Sequence, residues 1–400
     1  MFTVTADTVL PCTITGSYPR PRWFDDSMWG RPLDTCLLDL RFREQFQDAL
    51  ATVLSDQERA GIDILTHGDL HCDDDLAGRS WHHYPLQRWA GFAGDHLQSE
   101  ATRSPWLRYP PGTLLNEIYT GWRWPRVVDK IERRSLDYAK IWRMAQAKTS
   151  KPVRFGTCCS QVMGLFLDIH TPKYKDHREV VWDMAVAMNE ELLALRDAGC
   201  RCLQIEEPTL HFWANTYGRD HDNVKFMIEA YNREVQGLED VELWIHTCWG
   251  NPNMQRVIEN DSYRASFQLY LEACRGDVWT VEMKDRNLRE IELFAPFKGS
   301  LKKKICMGVV SHRSLQVERP EEVAASIRQA LQHIAPEQLI VSSDCGFGRQ
   351  GCNREIAFFK TSAIAQGTNL VRRELGLPTT RVRAADPRLQ TDIVPETPDC

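Results

Sequence analysis

The feature that most constrains the fold is a regular alternation of short β-like runs with amphipathic helical stretches. Such an alternation is typical of parallel strands joined by helical crossovers. Eight runs of this kind favour a closed (β/α)8 TIM barrel, an α/β fold, over the alternative of an open doubly wound sheet. The predicted strands span 12–17, 63–69, 153–158, 202–207, 243–248, 278–283, 304–310 and 339–345. The predicted helical stretches lie at or near 43–60, 129–147, 179–198, 222–236, 252–274, 319–334 and 352–371.

An aromatic-rich segment at about 80–128 interrupts the alternation after the second predicted strand. Its many tryptophans and tyrosines argue against disorder. Two interpretations stay open: an ornament packed on the barrel, for example where subunits of a homo-oligomer meet, or a lid over the barrel mouth. We expect 1–378 to form a single catalytic barrel domain with this insertion, and 379–400 to form a C-terminal tail that docks or frays.

The composition excludes several classes of protein. The chain has 400 residues, 42% hydrophobic and 26% charged, as globular proteins do. Its net charge of −6 lacks the basic excess that binding to nucleic-acid phosphates needs. The sequence shows neither the roughly 18-residue apolar run of a membrane span nor a signal peptide, so we expect a cytoplasmic protein without membrane or nucleic-acid partners. Thirteen cysteines in such a chain indicate metal ligands, redox groups or buried thiols rather than disulfides.

Three predicted strands end in candidate metal ligands, and barrel enzymes carry their catalytic groups at these ends. His246 and Cys248 are two residues apart and therefore face the same side of a strand. Glu282 follows an apolar run and needs a metal or a cation as partner, for which Arg286 is the ordinary candidate. Cys345 follows the last strand. Each of these residues by itself is explained by ordinary packing or ion pairing. Together, an imidazole, two thiolates and a carboxylate at one barrel mouth form a set of ligands for tetrahedral zinc.

Other strand ends carry groups that suit substrate binding and proton transfer. Two carboxylates facing a mouth can hold an amino group, and a nearby histidine can move a proton. Of the adjacent Glu206 and Glu207, we expect one only to cap a helix or form a salt bridge. We expect His71, His82 and His83 on the surface rather than at a second metal. The candidate groups are Gly16 and Ser17 after the first strand, Asp69 after the second, Glu206 after the fourth and His312 after the seventh.

Six motifs occur in a specific order and spacing: TGSYPR (15–20), QERAGIDILTHGD (57–69), LQIEEPTL (203–210), IHTC (245–248), TVE (280–282) and SSDCGFG (342–348). Together they resemble the C-terminal catalytic barrel of the cobalamin-independent methionine synthase family, from about Thr13 to about Thr368. The resemblance implies a (β/α)8 barrel that binds zinc through His246, Cys248, Glu282 and Cys345. It also implies that Asp69, Glu206, Gly16 and Ser17 bind the amino acid substrate and that His312 transfers a proton. Asp69 stands where the family usually has Glu, and Glu206 where it usually has Asp.

The activity implied by this resemblance is methyl transfer from 5-methyltetrahydrofolate to homocysteine or a related thiol, with Zn2+ as cofactor. Glu282 is the hypothetical exchangeable ligand, because oxygen is the weakest match to zinc in the set. His312 is the candidate donor of a proton to the folate nitrogen, and the tryptophans of the insertion offer a stacking surface for a pterin.

Other activities stay open. Short single-barrel relatives include epoxyalkane:coenzyme M transferases, which add a thiol to an epoxide and need a cation for the sulfonate. Arg20, Arg22, Arg313 and Arg349 are the candidates for that cation. A structural-zinc barrel that acts as a binding protein is the alternative of another class, although closed structural sites favour closely spaced cysteines. A decarboxylase of the uroporphyrinogen type and a corrinoid protein as methyl donor are further alternatives.

Overall fold

A parallel sheet forms the centre of the fold. The structure, a computed structural model, describes residues 1–24, 28, 31–72, 81–97, 109–121, 123–164, 167–348, 351–386 and 388. The strands in chain order are β1 (Leu65–Thr66), β2 (Ala90–Leu97), β3 (Arg123–Glu132), β4 (Val153–Cys158), β5 (Asp168–Ile169), β6 (Cys202–Glu206), β7 (Glu242–Thr247), β8 (Val278–Val281), β9 (Lys304–Val310) and β10 (Leu339–Ser343). In the described part of the chain, the central sheet has the order β1-β4-β6-β7-β8-β9-β10, and all its pairs are parallel.

The two edges of this sheet are joined through the first predicted strand. Cys12 bridges in parallel to Val341 on β10, and Thr13 bridges in parallel to Ile64, which precedes β1. The sheet therefore curls into a barrel, and the predicted α/β barrel fold is confirmed.

Within the predicted strand 12–17, strand pairing is limited to the two bridges at Cys12 and Thr13. The backbone N–H of Thr15 donates to the hydroxyl of Ser343 at 3.0 Å instead of to a strand carbonyl. Gly16 then has a φ of 68°, which is incompatible with extended backbone. The segment consequently leaves the sheet just where it reaches the barrel mouth.

The helices follow the predicted alternation, with one clear exception. They are α1 (Leu33–Cys36), α2 (Leu40–Ala60), α3 (His83–Leu86), α4 (Leu114–Gly121), α5 (Tyr138–Gln146), α6 (Ser160–Gly164), α7 (His177–Asp197), α8 (Thr209–Tyr217), α9 (Asp222–Glu234), α10 (Pro320–Leu331) and α11 (Arg354–Glu374). The predicted helix 252–274 is wrong, since it holds only the 3-10 turn Pro252–Met254 and the π-helical turn Leu269–Ala273. Asn253 and Met254 have positive φ values, which break a regular helix at its start. None of the described helices combines the length and apolarity needed to span a bilayer.

The predicted helix 129–147 is right only in its second half. Its first residues belong to β3, which pairs antiparallel with β2 and parallel with β5 in a second, three-stranded sheet. Trp89 and Trp124 of the insertion are buried, so part of its aromatic content is core. Residues 80, 98–108 and 122 of the predicted insertion lie outside the described residues, as do 387 and 389–400 of the predicted tail. The domain division and the choice between lid and interface stay predictions.

The N-terminal end of the barrel is plugged by apolar side chains. They form a separate buried cluster, against which the partly buried side chains of Phe2 and Val4 pack. Because this end is filled, the polar groups of the strands can meet a ligand only at the opposite, C-terminal mouth. The plug consists of Ile64, Cys202, Trp244, Val278, Cys306 and Ile340.

Glu234, at the end of α9, is a fully buried carboxylate outside the barrel mouth. It accepts hydrogen bonds from the backbone N–H and the hydroxyl of Ser160, at the start of α6. Burial raises its pKa to about 8 from an ordinary value of 4.5. The carboxyl group therefore favours its protonated form in the folded protein.

We expect Glu234→Gln to remove part of the pH dependence of stability. Because the pKa is higher in the folded than in the unfolded state, Glu234 increases the free energy of unfolding. This contribution is fully present below pH 4.5 and is lost as the pH rises to about 8. In this window the wild type should lose about 1.4 kcal/mol per pH unit relative to the variant. Urea unfolding at several pH values measures the slope. Glu229→Gln, at an exposed position of the same helix, should keep the wild-type slope, and an unchanged slope in the Glu234 variant would contradict the assignment.

Candidate metal centre and substrate site

Three of the four predicted metal ligands meet at the barrel mouth. His246 lies on β7, Cys248 directly follows that strand, and Cys345 lies just beyond β10. One ligand atom from each lies within 4.8 Å of the other two, and all three residues are buried. The closing of the barrel brings β7 and β10 to one rim, so residues almost a hundred positions apart become neighbours.

The electrostatics of this cluster suit a cation. The two sulfur atoms are 3.8 Å apart, and the hydrogen bond between them lowers the pKa of Cys345 and raises the pKa of Cys248. Burial alone would lower the pKa of His246, but Glu206 and Cys345 raise it. Both ring nitrogens of His246 are buried without a hydrogen-bond partner among the described atoms. An imidazole with free nitrogens beside a thiol–thiolate pair is a donor set that fits zinc.

The fourth predicted ligand, Glu282, lies beside this cluster but pairs with a cation. Its two carboxylate oxygens are each 3.0 Å from Nη2 of Arg313, and one also accepts the backbone N–H of Trp249 at 2.9 Å. Glu282 adds to the negative potential that raises the pKa values of His246 and Cys248. It is therefore near the three ligands, although it is absent from the tight group that they form.

Arg286, the candidate cation for Glu282, does not pair with it. Arg286 instead pairs with Glu290 at 2.7 Å and lies 3.6 Å from Asp261. The difference arises because the 3-10 turn Lys284–Arg286 follows β8 and places the guanidinium over the ring of Tyr263, 4.6 Å from its centroid.

Glu206 and Glu207 divide their roles as expected. Glu207 is buried and accepts hydrogen bonds from the backbone N–H of Leu210 and the hydroxyl of Tyr270, so it caps the start of α8. Glu206 faces the mouth, where one oxygen accepts from Gln204 at 2.7 Å and the other is 3.5 Å from Nε2 of His246. Burial raises the pKa of Glu206. It is the carboxylate of the two that a ligand can reach.

Asp69 lies at the end of the β1 segment in a strained backbone conformation, with a φ of 54°. Strain of this kind at a non-glycine residue persists only where the surroundings impose it, and it is common at functional sites. Its carboxylate oxygen is 3.4 Å from Nε2 of His67. Burial lowers the pKa of His67 to about 3, so this imidazole is neutral at ordinary pH.

The expected surface position of His71, His82 and His83 is wrong, because all three are buried. Nδ1 of His71 lies 3.1 Å from Nε2 of His67, and the ring of His82 stacks on that of Trp124 with centroids 4.0 Å apart. The aromatic insertion covers these rings, which the sequence around the second strand did not indicate.

Gly16 and Ser17 connect the two sides of the mouth. The carbonyl of Ser17 accepts the backbone N–H groups of Phe347 and Gly348 at 2.9 and 3.1 Å. A Cβ on Gly16 would lie 3.2 Å from the backbone of Gly346, the residue after Cys345. The predicted substrate-binding turn thus packs directly on the loop that carries a predicted metal ligand.

His312 is buried at the mouth beside an acid that the sequence analysis missed. Its Nδ1 is 3.2 Å from Oδ2 of Asp285, and Ser311 donates its hydroxyl to the other oxygen of Asp285 at 2.5 Å. Although burial opposes ionisation, His312, Ser311 and Arg313 hold the pKa of Asp285 well below its usual range. Asp285 lies three residues after Glu282, and this position beyond a strand end was the available signal.

Asp344 completes the rim as a structural anchor. With Asp285 and His312 it forms a second group of mutually close candidate ligand atoms. Its carboxylate already accepts backbone N–H groups of Met283, Lys284 and Asp285 at 2.7, 2.8 and 2.7 Å. These bonds fix the loop after β8 and use three of the roughly four lone-pair sites of the carboxylate.

We expect Gly346→Ala to destabilise the mouth. A Cβ at this position would lie 2.6 Å from the backbone nitrogen of Ser17 and 2.7 Å from its hydroxyl oxygen, so backbone must move. Overpacking of this kind costs about 1–3 kcal/mol, which urea unfolding would detect. The matched control is Gly121→Ala, where a Cβ meets nothing within 4 Å. Equal stability of the two variants would refute the packing argument.

Comparison with known proteins adds independent information. Residues 118–365 match the family model for the catalytic domain of cobalamin-independent synthases. A methionine synthase of Sulfurisphaera tokodaii is 28% identical over 377 residues, which cover 92% of this chain and 94% of that protein. A methionine synthase of Saccharolobus solfataricus is 28% identical over 367 residues, which cover 92% and 96%.

Two solved structures share the fold. A B12-independent methionine synthase from Shewanella sp. W3-18-1, solved with selenomethionine, superposes with a TM-score of 0.70 at 21% identity and covers 92% of this chain and 99% of its own. A putative vitamin-B12-independent methionine synthase from Listeria monocytogenes superposes with a TM-score of 0.63 at 17% identity, over 91% and 99%.

Proposed function

Because the chain belongs to the family of cobalamin-independent synthase catalytic domains, we propose that it methylates the sulfur of homocysteine to form methionine. The observation that carries the proposal is the buried cluster of His246, Cys248 and Cys345 at the barrel mouth. The names of its relatives support homocysteine as acceptor. The proposal takes 5-methyltetrahydrofolate as the methyl donor and zinc as the cofactor.

We assign the metal to His246, Cys248, Cys345 and Glu282. Bound Zn2+ would supply thiolate chemistry at neutral pH, where a free thiol with a pKa near ~8.5 is mostly protonated. The chain contributes a buried, preformed set of one nitrogen and two sulfurs, with a carboxylate next to it.

The substrate amino group is assigned to Asp69 and Glu206. Their side chains retain 23% and 18% exposure, so both carboxylates can be reached from the mouth. An ammonium group between them would also supply a positive charge that stabilises the ionised form of Glu206. Gly16 and Ser17 lie on the same rim and are assigned to the rest of the amino acid.

Proton transfer is assigned to His312. A tertiary amine is a poor leaving group, so the folate nitrogen must be protonated as the methyl group departs. Asp285 stays ionised beside Nδ1 of His312 and would orient the ring. His312 can therefore deliver a proton at its other nitrogen.

The structure favours this activity over addition of a sulfonated thiol to an epoxide. That alternative needs an unengaged cation at the mouth. Arg313 is paired with Glu282, and Arg20 donates to the backbone carbonyl of Leu70 at 2.8 Å. Arg22 is exposed, and Arg349 lies outside the described residues. The preference therefore depends on the accessible carboxylates of Asp69 and Glu206, which suit an amine.

Zinc-edge X-ray absorption of the purified protein, with and without homocysteine, tests the proposal. We expect a resting shell of two sulfurs and two lighter atoms that gains a third sulfur when homocysteine binds. An unchanged shell would exclude homocysteine and direct the search to coenzyme M. A protein that binds no stoichiometric zinc would overturn the metal assignment.

We expect Cys248→Ser and Cys345→Ser to weaken zinc binding by more than about a hundredfold and to abolish methyl transfer, because a hydroxyl is a much poorer zinc ligand than a thiolate. Metal competition with a chromophoric chelator gives the affinity. Cys352→Ser, at a half-buried thiol outside the cluster, serves as the control and should keep both properties. Full zinc affinity in either cluster variant would remove that residue from the site.

We expect Asp69→Asn to raise KM for homocysteine about ten- to a hundredfold, since it removes one charge-assisted hydrogen bond to the amino group. Steady-state kinetics with the deamino analogue of homocysteine provides the control, because a substrate without an amine should bind the variant and the wild type equally. Equal losses for both thiols would show that Asp69 acts on the fold instead.

A further inference from the structure

Glu282 has an alternative partner built into the site. It is fully buried, and Arg313 meets both of its carboxylate oxygens at 3.0 Å. The Arg313 side chain is itself only 14% exposed, so little water screens this pair. The carboxylate of a proposed zinc ligand is thus held by a protein cation.

Arg313 is anchored independently of Glu282. Its backbone N–H donates to the hydroxyl of Ser311 at 3.0 Å, and its Nε lies 3.7 Å from Asp285. The N–H of Ser311 in turn donates to Glu318 at 2.8 Å, and Glu318 pairs with the buried Lys360. The fixed backbone and the ion pair with Asp285 therefore keep Arg313 next to Glu282 when the carboxylate changes partner.

A metal and Arg313 cannot both have the full negative charge of Glu282. Breaking a buried ion pair leaves a buried charge without a partner. The free energy gained when the carboxylate binds a metal is therefore partly offset by the loss of its pair with Arg313. A metal would then hold this carboxylate less firmly than it would if Arg313 were absent.

We propose that Arg313 is a positioning residue that competes with the metal for Glu282 and so keeps that ligand position exchangeable for the incoming thiol. The inference rests on the proposed function, since it needs zinc at the cluster. On binding, the thiol would lose its proton to water and take the ligand position of the Glu282 carboxylate, which would then pair fully with Arg313. One anionic ligand replaces another, and no carbon bond changes in this exchange.

The zinc affinity of four proteins tests the competition: wild type, Arg313→Met, Glu282→Gln and the double variant. We expect Arg313→Met alone to bind zinc about tenfold more tightly, the size of a buried pair's coupling energy. In the Glu282→Gln background the same substitution should change nothing, because a neutral amide gains little from Arg313. Competition with a chromophoric chelator measures all four.

The control for loss of a positive charge is Arg354→Met, which breaks an ion pair with Asp56 away from the cluster and should leave zinc affinity unchanged. An equal gain in zinc affinity from Arg313→Met in both backgrounds would show that the substitution acts only by removing a positive charge near the metal. That result would overturn the inference. No gain in either background would overturn it as well. If the methionine variant does not fold, Arg313→Gln replaces it in the same cycle.

Thiol exchange provides a second measurement. X-ray absorption at the zinc edge during a homocysteine titration should show that Arg313→Met needs about tenfold more thiol than wild type to acquire the third sulfur. Equal titrations would contradict the inference while leaving the proposed function intact. Absence of zinc from the wild type would overturn both.

Discussion

The parallel pairing of the barrel strands is the constraint on which the site depends. Parallel strands end at one rim, and their register decides which side chains are neighbours. Glu206 on β6 is paired directly with His246 on β7, which places their side chains 3.5 Å apart. The bridges of Cys12 and Thr13 then close the circle, so that the loop with Cys345 arrives beside β7. Without the curling of the sheet, Cys248 and Cys345 would follow strands that β8 and β9 keep apart.

The mouth assembled in this way is a balance of buried charges. Glu282 with Arg313, and Asp285 with His312 and Ser311, form adjoining pairs that share the space around Cys248 and Cys345. Charges taken out of water are tolerated only when each has a partner. A metal, a thiol or an amine that enters must therefore exchange one partner for another, which is the physical basis for both the proposed chemistry and the competition at Glu282.

Several parts of this arrangement could be read from the sequence, and others could not. Short apolar runs that end in His246, Cys248 and Cys345 were recognisable because strand and chemistry occur within a few residues. The helix expected at 252–274 failed because its apolar residues pack around irregular turns, and hydrophobic spacing alone does not distinguish the two. The buried state of His71 and His82 depends on the insertion folding over them, which is a long-range contact.

The sequence by itself determined the barrel class and the residue types that meet at its mouth, because the periodicity of strands and helices and the ends of strands are local properties of the chain. Only the tertiary structure decided which charges pair. Arg286 is closer in sequence to Glu282 than Arg313 is, yet Arg313 holds it. Partner choice among buried charges depends on distances of a few ångströms between separate strands and loops, and only the closed barrel sets those distances.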